Sequence, residues 1–475
     1  MTAEKLTYNE LRLGEGAKDA FLSGISPEEI ERKFPVYLNT REVYAGLNAT
    51  DIVVAGVLSG MNGLLVGDTG CGKSQLASDI ARYYFGGERK DGGSALTIEG
   101  HPELEIYEEV LSEFSDKEKK RVLNGNHKAK YWNLEELNRC PPFAQNQFFS
   151  VGNGRLIRGG SAIPLGEDGY VSSLATANLG NGEYQGTFET DKALYNRFGV
   201  IVDFDYEMFS PTDEDRIFID ELVAANPNLK RAPIRDISDK IVVAKEEIDN
   251  MLRNTSLEAK AVSQYLELGL ASYRGSDGKP VRKTKNWWEP FEENFTGGTR
   301  PLKSLVRNPQ PRTTQALMRY ATSLHYLAKL KNPKRKINPI DTMFKAFELT
   351  AAYQDVLNPL VLSQEYKKEH PVMMARVAEQ LKADFRKNED YILTSFESAR
   401  NRGDVFKQYF KVKGDGQTYA GEPSDEVDKN KVTVVKPFNN LGEVNLTWVN
   451  SAIDVQKKIH DMKVKQGKRG KKNKK

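Results

Sequence analysis

Gly67-Asp68-Thr69-Gly70-Cys71-Gly72-Lys73-Ser74 fits the spacing G-x-x-x-x-G-K-[ST]. In such a loop the glycines let consecutive backbone N–H groups turn inward onto an anion. The lysine reaches the outer phosphates of a nucleotide, and the hydroxyl after it is a magnesium ligand. Two further runs offer groups that could act on a water, one by acid–base chemistry and one by orienting it. Tyr131-Trp132-Asn133-Leu134-Glu135-Glu136 closes a strand-like run with two carboxylates, a spacing that directs Glu135 to a metal and Glu136 to an attacking water as its base. Leu174-Ala175-Thr176-Ala177-Asn178 ends in an amide suited to orienting the same water. A lone Glu-Glu pair or a lone Asn after a strand is ordinarily a helix-start or turn feature, so the reading rests on all three occurring together.

The elements that must carry these residues are legible around them. Leu64-Leu65-Val66 reads as a buried strand, and Leu76, Ile80 and Ala81 give the helix after Lys73 one apolar stripe. Further strands are expected at 95–98, 131–134, 171–175 and 200–204, separated by helical or inserted segments. That alternation predicts an α/β fold with a mainly parallel sheet between helices and nucleotide at the carboxyl ends of the strands. Ahead of it, Ser26-Pro27-Glu28-Glu29 reads as a helix N-cap with proline at N1. After Val243 helices are expected at 245–253, 256–273, 313–330 and 339–357, the third with Leu317, Tyr320, Ala321 and Leu324 at helical spacing. The predicted organisation is a helical lead-in (1–45), an α/β core (46–235), and a helical domain (236–358) with a polar insertion at 275–299 around Trp287-Trp288. A C-terminal extension (359–455) with a linker near 413–430 and a candidate hairpin at 431–435 and 443–448 follows, then a basic tail (456–475).

A chain of 475 residues exceeds what one core usually covers, so two or three domains are expected. Met1-Thr2-Ala3-Glu4-Lys5 opens no signal peptide, and the most apolar segment, 52–66, is interrupted by Ser59 and Asn62 and is too short to span a bilayer. These features predict a soluble cytoplasmic protein without a membrane role. Cys71 and Cys140 are the only cysteines, which offers no disulfide framework, and with five scattered histidines they form no zinc-type cluster. Net charge is +3, yet residues 456–475 hold ten Lys or Arg against Asp461, a local +9 that leaves the rest of the chain at −6. Such a tail reads as a solvated end or, in the sharper alternative, as a weak nonspecific contact with nucleic acid.

The order of these motifs resembles the AAA+ ATPases, in particular their MoxR-like and dynein-related, cobalt-chelatase-type branch. Glu135-Glu136-Leu137-Asn138-Arg139-Cys140-Pro141-Pro142 is similar to that group's D-E-I-N-R-A-P-P. The run from Gly154-Arg155-Leu156-Ile157-Arg158 to Ile163-Pro164-Leu165 resembles its hairpin before sensor 1. Asn178 stands at sensor 1, Tyr195-Asn196-Arg197-Phe198 where the group has L-D-R-F with the arginine finger, and Pro311-Arg312 at the sensor-2 arginine. The resemblance covers about residues 48–357 and implies a P-loop core, a helical lid domain and a small C-terminal extension. It further implies ATP with Mg²⁺, a homo-oligomeric, hexameric ring, and a protein client, in this group commonly one with a von Willebrand factor A domain. On this reading Arg197 serves the neighbouring subunit's site and Arg312 its own. A transferring phosphoryl group spreads negative charge over its oxygens, so a cation brought close favours the transition state over bound ATP.

The chain also departs from the group. Glu135 stands for the usual Asp, Lys130 and Asn133 make the strand less apolar, and a helical stretch over 103–122, acidic then basic, replaces the group's helix-2 hairpin sequence. No N-K-x-D motif follows the loop, which favours ATP over GTP. Three functions compete: a remodelling ATPase that matures a partner or inserts a cofactor, a nucleic-acid motor or restriction-type NTPase suggested by the tail with Arg155 and Arg158, and a scaffold without turnover. The joint presence of Lys73, Glu136, Asn178, Arg197 and Arg312 favours the first.

Overall fold

A computed structural model of the chain describes residues 4–115, 120–158, 161–178, 188, 192–222, 233–269, 272–274, 280–282, 305–307, 309–387, 389–390 and 392–393. The linker, the candidate hairpin at 431–448, Trp287-Trp288 and the basic tail lie outside the described residues.

A hairpin of β1 (Glu42–Tyr44) and β2 (Leu47–Asn48) leads into the helix Ala49–Leu58. This helix is buried over its whole length, and its start is fixed by reciprocal bonds. Asn48 Oδ1 accepts the Asp51 N–H at 2.8 Å, and Asp51 Oδ2 accepts the Asn48 N–H at 3.0 Å, satisfying two donors that a helix start leaves open. The most apolar segment of the sequence is thus this helix plus the strand after it, β3 (Asn62–Val66), both inside the protein. The other central strands are β4 (Ala95–Glu99), β7 (Tyr131–Glu135), β10 (Ser172–Ala177) and β11 (Val200–Asp203). They form one parallel sheet in the order β11-β3-β10-β7-β4. The five strands expected in the α/β part are present, each within a few residues of its predicted bounds. A core of Leu64, Val66, Ile98, Trp132, Leu134 and Phe148 packs on the sheet.

Lys130 and Asn133, unusual for such a strand, are accommodated by pairing. Lys130 is buried and bridges Asp168 at 2.9 Å and Asp239 at 3.0 Å, while the fully buried Asn133 donates to Glu135 Oε1 at 2.8 Å.

The stretch 103–122 is not one helix. It contains the helix Ile106–Val110 and then a hairpin of β5 (Leu111–Ser115) and β6 (Lys120–Leu123). The reason lies at the helix end, where Glu109 O accepts from the side-chain amides of Asn124 and Asn126 at 2.9 and 2.8 Å and Val110 O accepts the Asn124 N–H at 3.1 Å. These bonds satisfy carbonyls that a continuing helix would have used internally. The hairpin expected over 154–165 is present as β8 (Arg155–Arg158) paired antiparallel with β9 (Ser161–Pro164).

In the helical region two expected helices are shorter. Helix Leu257–Gly269 stops before Tyr273, which lies in β12 (Ser272–Arg274), paired with β13 (Pro280–Arg282) within the polar insertion. Helix Pro339–Ala351 stops before Leu357, which bridges Val306, with Asp355 at φ +56° turning the chain. The helix begun at Ser238 runs to Arg253 and that begun at Pro311 runs to Lys331. The predicted N-cap holds, with Ser26 accepting from the Glu29 N–H ahead of Pro27–Lys33.

The chain forms two compact units, one of 1–254, 315–338 and 345–354, the other of 255–314, 339–344 and 355–475. The segment 236–358 is divided between them. In the second unit Tyr265 and Phe385 meet edge to face at 5.1 Å, and the Tyr265 hydroxyl donates to the buried Asp384 carboxylate at 2.5 Å and to Leu381 O at 3.2 Å. Among the described residues no helix is long and apolar enough to cross a membrane.

Candidate nucleotide site

The loop 67–74 joins β3 to the helix Lys73–Tyr84. Its turn needs the left-handed backbone at Gly70 and Gly72, at φ +84° and +88°. Crowding adds a second requirement, because a Cβ on Gly72 would lie 2.9 Å from the ring of the buried Tyr37. That ring is held in place from below. Asp79 of the same helix, fully buried, accepts the backbone N–H groups of Val36 at 3.1 Å and Tyr37 at 2.9 Å. On the other flank Asp205, just past β11, accepts the Asp68 N–H at 2.9 Å. Lys73 is buried, and its Nζ donates to Gly67 O at 2.8 Å and Asp68 O at 2.6 Å. Leu76, Ile80 and Ala81 are buried as the helix stripe requires.

Glu135 and Glu136 end β7 differently. Glu135 continues the strand in register with Glu99 of β4. Burial raises its pKa, as do the negative charges of Glu99, Glu136 and Glu88, against the hydrogen bond from Asn133. Glu136 leaves the strand at φ +52°, a left-handed conformation uncommon for a side chain of this size. Its N–H donates to Thr176 Oγ1 of β10 at 3.0 Å, and its carboxylate pairs with Arg139 at 2.8 Å. Gly100 makes this exit possible, since a Cβ there would lie 2.3 Å from Glu136 O. Asn178, one residue past β10, exchanges bonds with Asn138, whose Nδ2 donates to Asn178 O at 3.2 Å and whose Oδ1 accepts the Asn178 N–H at 3.3 Å.

These elements enclose one cavity of about 320 Å³. It is lined by Thr69, Gly70, Lys73 and Ser74 of the loop and by Glu136, Thr176 and Asn178 from the ends of β7 and β10. Because β10 lies between β3 and β7, Asn178 stands one strand away from the loop and Glu136 two strands away. Glu135 is not among the lining residues. Arg197 sits in the turn after the helix Lys192–Tyr195, away from the cavity lining, and donates to Asn153 Oδ1 at 3.2 Å. Arg312 is an exposed residue of the first turn of helix Pro311–Lys331, in the second unit.

The sequence does not match any protein-family model, and no curated protein matches it. Among solved structures, a Cytophaga hutchinsonii protein described as a candidate ATPase aligns with TM-score 0.49 and 13% identity, covering 78% of this chain and 94% of that one. A full-length MCM homologue from Methanopyrus kandleri aligns with TM-score 0.38 and 11% identity over 64% of this chain and 54% of its own.

Several residues of the site carry no local signal in the sequence. Thr176, which fixes the Glu136 backbone, lies 40 residues from it, and Asp205 lies 137 residues from Asp68. Tyr37 likewise meets the loop only through the fold. Cys71 and Cys140 are free thiols, and burial pushes the Cys140 thiol up to about 12.

Proposed function

We propose that this chain is a ring-forming ATPase of the AAA+ type that uses hydrolysis to remodel or mature a partner protein. The observation that carries the reading is the single cavity in which Lys73, Ser74, Glu136 and Asn178 converge. The loop amides and Lys73 bind the phosphates of ATP, Glu136 takes the proton from the attacking water, and Asn178 orients that water. Ser74 and Glu135 would hold Mg²⁺, which supplies charge neutralisation at the phosphates. An oxygen-only donor pair suits that ion, and the carboxylates acting on Glu135 give a cation there a favourable field. Arg197 is the cation offered to the neighbouring subunit, and the role of Arg312 at its own subunit's nucleotide rests on the family resemblance alone. The client, including one with a von Willebrand factor A domain, rests on the family resemblance alone.

The test is Glu136→Gln. Binding of a fluorescent ATP analogue is expected to persist while steady-state hydrolysis falls by roughly 10²-fold or more, the scale of a removed general base. Hydrolysis at the wild-type rate would reassign the base. Proteins that co-purify with this slow variant identify the client. The oligomeric arrangement is tested by mixing Lys73→Ala and Arg197→Ala subunits, each inactive alone. Recovery beyond the sum of the two is expected where an intact loop faces an intact arginine, and verified mixed oligomers without recovery would count against a shared site.

A further inference from the structure

Tyr353 and Gln354 follow the helix Pro339–Ala351 and make two contacts with the turn that bears Arg197. The Tyr353 ring stacks on Tyr195, with centroids 6.2 Å apart and planes at 26°, and Gln354 Nε2 donates to Phe198 O at 2.8 Å. The turn is closed by the Arg197 N–H to Leu194 O at 2.8 Å and the Phe198 N–H to Tyr195 O at 3.1 Å. The Tyr353 hydroxyl donates to Asp203 Oδ2 at the end of β11. Asp203 Oδ1 accepts the Asp205 N–H at 3.0 Å, and Asp205 Oδ1 accepts the Asp68 N–H of the phosphate loop at 2.9 Å. All of these residues belong to the first unit. An unbroken series of hydrogen bonds and one ring stack therefore joins the phosphate loop to the arginine turn, and Tyr353 is the residue that touches both halves.

We propose that Tyr353 is a positioning residue for Arg197, fixing the arginine turn against the Asp203 carboxylate that is tied to the phosphate loop. The proposal rests on Arg197 being the catalytic cation of the reading above, and adds what sets its place. The ring gives the turn a flat support, Gln354 fixes its backbone, and the hydroxyl keeps the ring from sliding over Tyr195. A cation displaced by a fraction of an ångström stabilises a developing charge less, while ground-state nucleotide binding in the loop is left largely as it was.

The experiment is a double-mutant cycle on the full chain, because coupling energies isolate action through a second residue. Tyr353→Phe keeps the stack and removes only the hydroxyl. It is expected to lower kcat by about tenfold with KM and analogue affinity within about twofold. Adding it to Arg197→Ala, whose steady-state hydrolysis is lost, is expected to leave the residual single-turnover rate of that variant unchanged. An additive double variant, a change confined to KM, or a wild-type kcat for Tyr353→Phe beside an impaired Arg197→Ala would each overturn the positioning role alone. A wild-type rate for Arg197→Ala would overturn the cation reading and the proposal with it. Should Tyr353→Phe fail to fold, as judged by thermal unfolding, Gln354→Leu takes its place in the same cycle. It is expected to show the same non-additivity, and additivity there would overturn the role equally.

Discussion

Glu136 combines a reactive carboxylate with a backbone at φ +52°, and the two requirements pull in different directions. The left-handed region disfavours a long side chain by roughly 1 kcal/mol, whereas asparagine enters it readily. Neutral replacements separate the effects, since Asn and Gln both remove the charge and the pairing with Arg139. Glu136→Asn is expected to be more stable than Glu136→Gln by about 0.5–1 kcal/mol in urea unfolding, with both slow in hydrolysis. Equal stabilities would mean that the bond from the Glu136 N–H to Thr176 sets this dihedral whatever the side chain. Which residues line the cavity was in part legible in the sequence. The loop spacing named Lys73 and Ser74 because phosphate binding is local in the chain, and the carboxylates could be read because they end a strand. Thr176, Asp205 and Tyr37 were not legible, because their roles exist only once strands distant in sequence lie side by side.

At the scale of elements, the central strands could be read because buried parallel strands are short continuous apolar runs, and all five are in place. The segment 103–122 was misread because its composition suits a helix while the carbonyls of Glu109 and Val110 are bonded by Asn124 and Asn126. In the second unit, the helix His370–Lys387 carries an element-scale device in Asp384. Burial raises its carboxyl pKa to about 7 in the folded chain, against 3.8 ordinarily. Between these values the folded chain keeps a proton that the unfolded chain has lost, so this group makes stability fall as pH rises through the window. Below pH 4 both states are protonated, and above pH 7 the full penalty, on the order of a few kcal/mol, is present. Asp384→Asn removes the titration, so its stability relative to the parent is expected to rise by about 1 kcal/mol or more from pH 5 to pH 8. Chemical unfolding at the two pH values measures this, and a constant difference would show that Asp384 ionises normally in the folded state.

At the scale of the whole molecule an α/β part followed by a helical part was legible, but not how the chain is shared between its two units. A boundary near residue 235 looked natural because strand signals end there. Yet residues 315–338 and 345–354 belong with the first unit, so two continuous helices, Pro311–Lys331 and Pro339–Ala351, change unit part-way along. Within the first unit the Tyr320 hydroxyl donates to Ile52 O at 2.7 Å and Ser323 Oγ donates to Ala55 O at 2.6 Å, while Arg319 bridges Asp249 at 2.7 Å. An N-terminal fragment cut where the first unit pauses, at Asn254, would keep every loop and strand of the nucleotide site. It would nevertheless uncover the part of the apolar helix Ala49–Leu58 that Tyr320 and Ser323 cover. Expressed alone, residues 1–254 are therefore expected to aggregate or to lack a cooperative unfolding transition, and a soluble fragment that bound nucleotide would contradict this. For anyone engineering this chain, the part that holds the candidate site is not a cassette: a minimal version must carry the sequence at least through Gln354, including the intervening segments assigned to the second unit.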